Sequence, residues 1–118
     1  MLTLLLCLSV GPQYPPATVH GEPTYQFDRL TLDEAFVLRG KPARFRIVLD
    51  SEWGEWNGFT TYDCQTVDGA WRTVWLNAGQ DAEPDELTVY GTLRIFRQTD
   101  MKGRPFLEYR IERAVILK

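Results

Sequence analysis

The sequence predicts a mainly β domain: five strands closed into a small barrel, with one short helix leading into it. Three observations predict it. Apolar residues alternate with polar ones at period two around Phe45, Ile47 and Leu49, from Leu87 to Ile95, and around Leu107, Tyr109 and Ile111, the pattern of half-buried strands. Thr31-Leu-Asp-Glu34 stands before the first of these and fits a helix capping box. Gly91 falls in the middle of a long strand, where a residue without Cβ permits the bend or close approach that a small barrel needs.

The helix is expected over about 32–39, with Gly40 as the residue that ends it and Pro42 forbidding continuation. The first strand follows over 43–50, with Phe45, Ile47 and Leu49 inward. Ser51 to Gly58, holding Trp53 and Trp56, reads as a loop, and 59–66 reads as the second strand. Asp68-Gly69 marks a hairpin, and Trp71 to Leu76 is the third strand. A polar loop, 77–86, carries Asp81, Glu83, Asp85 and Glu86. The fourth strand spans 87–96, a hairpin loop spans 98–104, and the fifth strand runs from Phe106 to Leu117.

Residues 1–24 are set apart from the body, 25–118. Leu2 to Val10 is an apolar run followed by Pro12, Pro15 and Pro16, which looks like the core of a secretory signal and a Pro-rich linker. No Lys or Arg precedes the run, and a start placed too far downstream would account for that. Export is therefore expected, and a cytoplasmic location if the run is instead a buried strand. Cys7 lacks the small residues that lipid modification requires before it, and His20 sits in the linker with no role assigned.

The chain has 118 residues, 44% apolar and 25% charged, with a net charge of −3. That suits a single globular domain with a modest core. Two cysteines exclude a disulfide-dense scaffold and one histidine makes a His-based metal site or a Ser-His-Asp triad untenable. No apolar run approaches the roughly 20 residues of a membrane span. The acidic balance argues against a duplex-DNA binder. Cys64 has no base in the body to activate it, and the acidic loop lacks the ligand order of a calcium loop. The expectation is a protein without catalytic residues, metal or cofactor.

Thr31-Leu-Asp-Glu-Ala, Gly40-Lys-Pro-Ala-Arg-Phe-Arg-Ile-Val-Leu, Leu87-Thr-Val-Tyr-Gly-Thr-Leu-Arg-Ile-Phe and Leu107-Glu-Tyr-Arg-Ile-Glu-Arg-Ala-Val-Ile-Leu together resemble OB-fold domains. They are most similar to tRNA-anticodon-binding-like domains and small exported bacterial OB-fold proteins. The resemblance covers roughly 31–117 and rests on patterns of residue type. It implies a five-stranded Greek-key barrel that binds an extended ligand: single-stranded nucleic acid, or alternatively a protein or glycan with no nucleic-acid role.

The aromatic residues point to where such a ligand would lie. Trp53, Trp56 and Phe59 cluster at the first interstrand loop, and Trp71 and Trp75 share one face of the third strand. Trp53, Trp56, Tyr62, Arg72 and Trp75 are the candidate ligand-binding residues, since indoles stack on bases or sugars and an arginine adds a cation–π or phosphate contact. The alternative places Trp71 and Trp75 in the core and leaves Arg72, Val74 and Leu76 outside. Residues 39–50 and 94–113 each sum to +3, which makes either one basic face or strand faces neutralised by cross-strand ion pairs such as Glu108 or Glu112 with Arg44 or Arg46.

Overall fold

A computed structural model describes residues 22–77, 79–80 and 85–117. The apolar run Leu2 to Val10, Cys7, His20, Asp81 and Glu83 lie outside the described residues. The elements are β1 (Thr24–Gln26), a 3-10 turn (Phe27–Arg29), α1 (Leu32–Leu38), β2 (Pro42–Trp56), β3 (Phe59–Cys64), β4 (Trp71–Leu76), β5 (Glu86–Thr99) and β6 (Pro105–Ile116). The fold is mainly β. All six strands belong to one sheet in the order β1-β2-β3-β4-β6-β5, and β5 also pairs with β2, so the hydrogen bonding runs round in a ring. β1 with β2 and β4 with β6 are parallel, and the other pairs are antiparallel.

Six strands replace the expected five. The addition is β1, whose Thr24, Tyr25 and Gln26 pair with Arg44, Phe45 and Arg46. Thr24 thus belongs to the sheet, although the sequence boundary left it in the linker. β2 is also longer than expected. It runs through the segment read as a loop and turns only at Asn57-Gly58, between the paired residues Trp56 and Phe59. Both turn residues have positive φ, 51° and 84°, the two-residue hairpin geometry that Asn-Gly favours. Two register shifts, between Leu49 and Ser51 and between Glu52 and Gly54, absorb the irregular residues without breaking the strand.

The helix forms as its sequence dictates. The Thr31 hydroxyl accepts from the Glu34 amide, and the Glu34 carboxylate accepts from the Thr31 amide. α1 buries Ala35 and Leu38, while Leu32, Phe36 and Val37 stay exposed. Phe27 and Leu30 from the preceding turn join Ala35 and Leu38 in a single core with Phe45, Ile47, Val74, Leu76, Val89, Leu93, Tyr109 and Ile111. Leu49, Ile95 and Leu107 pack against that core in part. Each fully buried aliphatic or aromatic side chain contributes about 1.5–3 kcal/mol. Gly91 sits at a close approach of β5 and β6: a Cβ there would lie 2.6 Å from Ile111 Cγ2 and 3.0 Å from the Glu112 carbonyl oxygen.

Candidate functional site

β2–β3 and β5–β6 are long hairpins, and the outward faces of β4 and β6 lie between them. On β4, Arg72, Val74 and Leu76 point inward and are fully buried, while Trp71 and Trp75 are half-buried on the other face. The outward face carries a run of aromatic rings. Trp53 of β2 lies 4.9 Å from Trp71, centroid to centroid, and Trp71 lies 5.8 Å from Phe106 beside the turn of the β5–β6 hairpin. The run therefore bridges one hairpin to the other. Trp71 is fixed further by its indole N–H, which donates to Asp63 at 2.7 Å.

A second group of rings adjoins the first. Phe59 lies 6.0 Å from Trp75. The Arg110 guanidinium is sandwiched between Trp75 and Phe96, 4.1 Å from each ring centroid. It also makes two hydrogen bonds of 2.9 Å to the Glu108 carboxylate. Glu108 is 1% exposed and accepts in addition from Thr73 at 2.7 Å and Gln98 at 2.9 Å. Burial pushes its pKa up, but the hydrogen bonds from Arg110, Thr73 and Gln98 outweigh it and leave the carboxyl below its ordinary value. The Trp75 indole N–H is buried with no acceptor among the described residues. Chemically this is a surface of mutually tilted rings, with interplanar angles of 36°, 50° and 51°, over a polar network of matched charges.

No protein-family model, curated protein or solved structure matches this chain.

The five residues singled out from the sequence divide into two groups. Trp53 is 49% exposed, Trp56 is 61% exposed beside the Asn57-Gly58 turn, and Trp75 lies on the outward face. Tyr62 and Arg72 do not join them. Tyr62 pairs with Val74 and is buried in the core. Arg72 is 0% exposed and holds the 65–70 loop from within: it donates to Thr66, to Asp68 at 2.6 Å and to the Leu30 carbonyl at 2.6 Å, and it lies 4.8 Å from the Tyr109 ring centroid. The physical reason is strand parity. Trp71 and Trp75 point outward, so position 72 must point inward, and its charge is satisfied by an acid four residues back. Trp71, Phe106, Phe96 and Arg110 complete the face and were not among the five.

Of the ten basic residues in segments 39–50 and 94–113, four have a carboxylate partner among the described residues. Arg46 pairs with Glu86 at 2.5 Å, Arg94 with Glu112, Arg104 with Asp100, and Arg110 with Glu108 and Glu112. The pairs proposed from the sequence, Glu108 or Glu112 with Arg44 or Arg46, do not form, because β6 borders β5 and β4 and not β2. Cys64 is buried, and burial, followed by the nearby Asp63 carboxylate, pushes its thiol far up. A thiol held protonated is a poor nucleophile. Among the described residues no cluster of three or more His, Cys, Asp or Glu could hold a metal ion, and no helix is long and apolar enough to cross a membrane.

Proposed function

We propose that this chain is a non-catalytic binding module of the OB type that grips an extended ligand on the Trp53–Trp71–Phe106 face. The fold supports the reading through its connectivity. Leaving aside the short β1, the five long strands run β2-β3-β4-β6-β5 and return to β2, with β4 and β6 parallel. That arrangement suits a five-stranded Greek-key barrel, in which the face of the second and third barrel strands, flanked by two loops, takes the ligand. The observation that carries the proposal is the aromatic run between the two hairpins, with Trp53 and Trp56 left exposed to solvent. Stacking on such rings is worth about 1–3 kcal/mol per base and needs no deep pocket.

Single-stranded nucleic acid suits the stacking surface and the exposed Arg97 and Lys102 of the β5–β6 hairpin. A second reading, a polypeptide or glycan ligand, is favoured by one observation. The tryptophan-bearing hairpin carries Asp50, Glu52, Glu55 and Asp63 and no Lys or Arg between residues 50 and 63, which repels a phosphate backbone. Tryptophan fluorescence titration with oligothymidylate, with neutral β-linked oligosaccharides and with an unstructured peptide separates the readings. Nucleic-acid binding must weaken steeply with salt, whereas glycan stacking must not. If none of the three changes the fluorescence, or if Trp56→Ala leaves every affinity unchanged, the proposal fails.

A further inference from the structure

Away from the aromatic face, and sharing no residue with it, a pocket of about 340 Å3 lies between β1, the end of α1 and the start of β2. Its walls are Pro23, Tyr25, Leu38, Pro42 and Ala43, with Tyr90 of β5 alongside. Two cations reach it, Lys41 and Arg44, against one acid, the exposed Glu22, which already has a partner. Of the seven arginines in the strands, Arg44, Arg97 and Arg113 have no carboxylate partner among the described residues, and Arg44 alone of these three is not exposed. Arg46, Arg72, Arg94 and Arg110 each have a carboxylate partner. Arg44 is half-buried, makes no ion pair among the described residues, and its Nε is buried without a hydrogen-bond partner. A buried donor left without an acceptor is costly, more so when the group is charged. A group of that kind in a native fold calls for an explanation, of which a bound ion or water is one.

We infer that this pocket binds a small organic anion, with its carboxylate or phosphate on Arg44 and Lys41 and its apolar body against the Tyr90 ring and the proline walls. The guanidinium fork suits the two oxygens of a carboxylate or phosphate, and the Lys41 ammonium adds a compact second charge. Tyr90 is Arg44's cross-strand partner, and so presents its ring on the same side of the sheet. The volume lies at the low end of ligand pockets, roughly 300–1,000 Å3, enough for one ring and its anionic group.

The test is a titration of the isotopically labelled full chain with benzoate, phenyl phosphate, inorganic phosphate and benzyl alcohol, followed by amide and Arg Nε–H resonances. At least one of the two aromatic anions should shift the signals of residues 38–44, Tyr90 and the Arg44 Nε–H saturably. Benzyl alcohol should not, and inorganic phosphate should bind more weakly than phenyl phosphate. Arg44→Gln should lower affinity by about tenfold or more, the loss of a charge-assisted hydrogen bond. Lys41 is exposed, so Lys41→Gln keeps the fold and decides the matter if the Arg44 variant does not fold; it should lower affinity about threefold. The inference is overturned if neither aromatic anion binds saturably, if the variants bind like the parent, or if benzyl alcohol or inorganic phosphate binds as well as phenyl phosphate.

Discussion

Arg72 and Asp68 set the terms of the most exacting prediction. The guanidinium is fully buried, and Asp68 is its only charged partner among the described residues, at 2.6 Å, with an aspartate side chain that is 49% exposed. Asp68→Asn leaves a buried cation with the Thr66 hydroxyl, the Leu30 carbonyl and the Tyr109 ring. Breaking a buried pair costs about 3–5 kcal/mol. Because water reaches the exposed side of Asp68, the expected loss is about 2 kcal/mol. For a domain of this size that lowers Tm by roughly 8–16 °C.

The same pair predicts a pH dependence. The hydrogen bond from Arg72 is the main cause that holds the Asp68 carboxyl down to about 2, with the Ala70 amide, the Arg72 charge and Thr66 adding to it against burial. An unfolded chain titrates an aspartate near 3.9. The folded value is the lower one, so the stabilisation is fully present above about 4 and is lost as pH falls through about 2. The difference in Tm between parent and Asp68→Asn, followed by circular dichroism, should therefore be large at neutral pH and close as pH falls from about 4 to about 2. A variant that melts within about 2 °C of the parent at neutral pH, or a gap that persists at pH 2, refutes the role given to this pair.

Three further outcomes follow from the same structure. Trp56→Ala should weaken the ligand by about 1–3 kcal/mol and shift Tm by no more than a few degrees; a large drop in Tm would place Trp56 among the structural residues. Gly91→Ala should cost about 1–3 kcal/mol, because Glu112 O and Ala114 Cα, backbone atoms at 3.0 and 3.1 Å from the new Cβ, cannot step aside; an unchanged melting curve would contradict the close approach. Asn57→Ala should cost about 1 kcal/mol for a left-handed conformation, while Asn57→Gly should cost less; equal stability of the two would argue against the Asn57-Gly58 turn.

Strand interiors were the legible part of the sequence. Phe45 and Ile47, Val89 and Leu93, Tyr109 and Ile111 alternate with polar residues, and all six are buried. Thr31 and Glu34 announced the helix, and both capping bonds are made. β4 was not legible in this way. Both of its faces carry large apolar groups, Trp71 and Trp75 on one and Val74 and Leu76 on the other, so alternation alone does not say which is inward. Only Asp68, four residues before Arg72, hinted that the arginine could be buried with a partner. The length of β2 was obscured by composition: Trp53, Gly54, Trp56, Asn57 and Gly58 read together as a loop, whereas Asn57-Gly58 alone is a two-residue turn and the rest is bulged strand. Trp71 and Phe106 meet only through a parallel pairing of strands distant in sequence, which no local pattern encodes.

That ring of pairings also governs how the chain must fold. β2, β3 and β4 can zip as neighbours, and β5 and β6 can zip across the Asp100–Arg104 turn, each from local contacts. The two seams that join these halves cannot. One brings Pro42 to Thr92 and the other brings Trp71 to Glu108, and both must close long loops before any of their hydrogen bonds form. Folding is accordingly expected on the millisecond-to-second scale of all-β domains. The Glu108–Thr73 bond crosses the second seam, whereas the Gly91 approach lies within the β5–β6 hairpin, so the bond should form late and its loss should mainly speed unfolding.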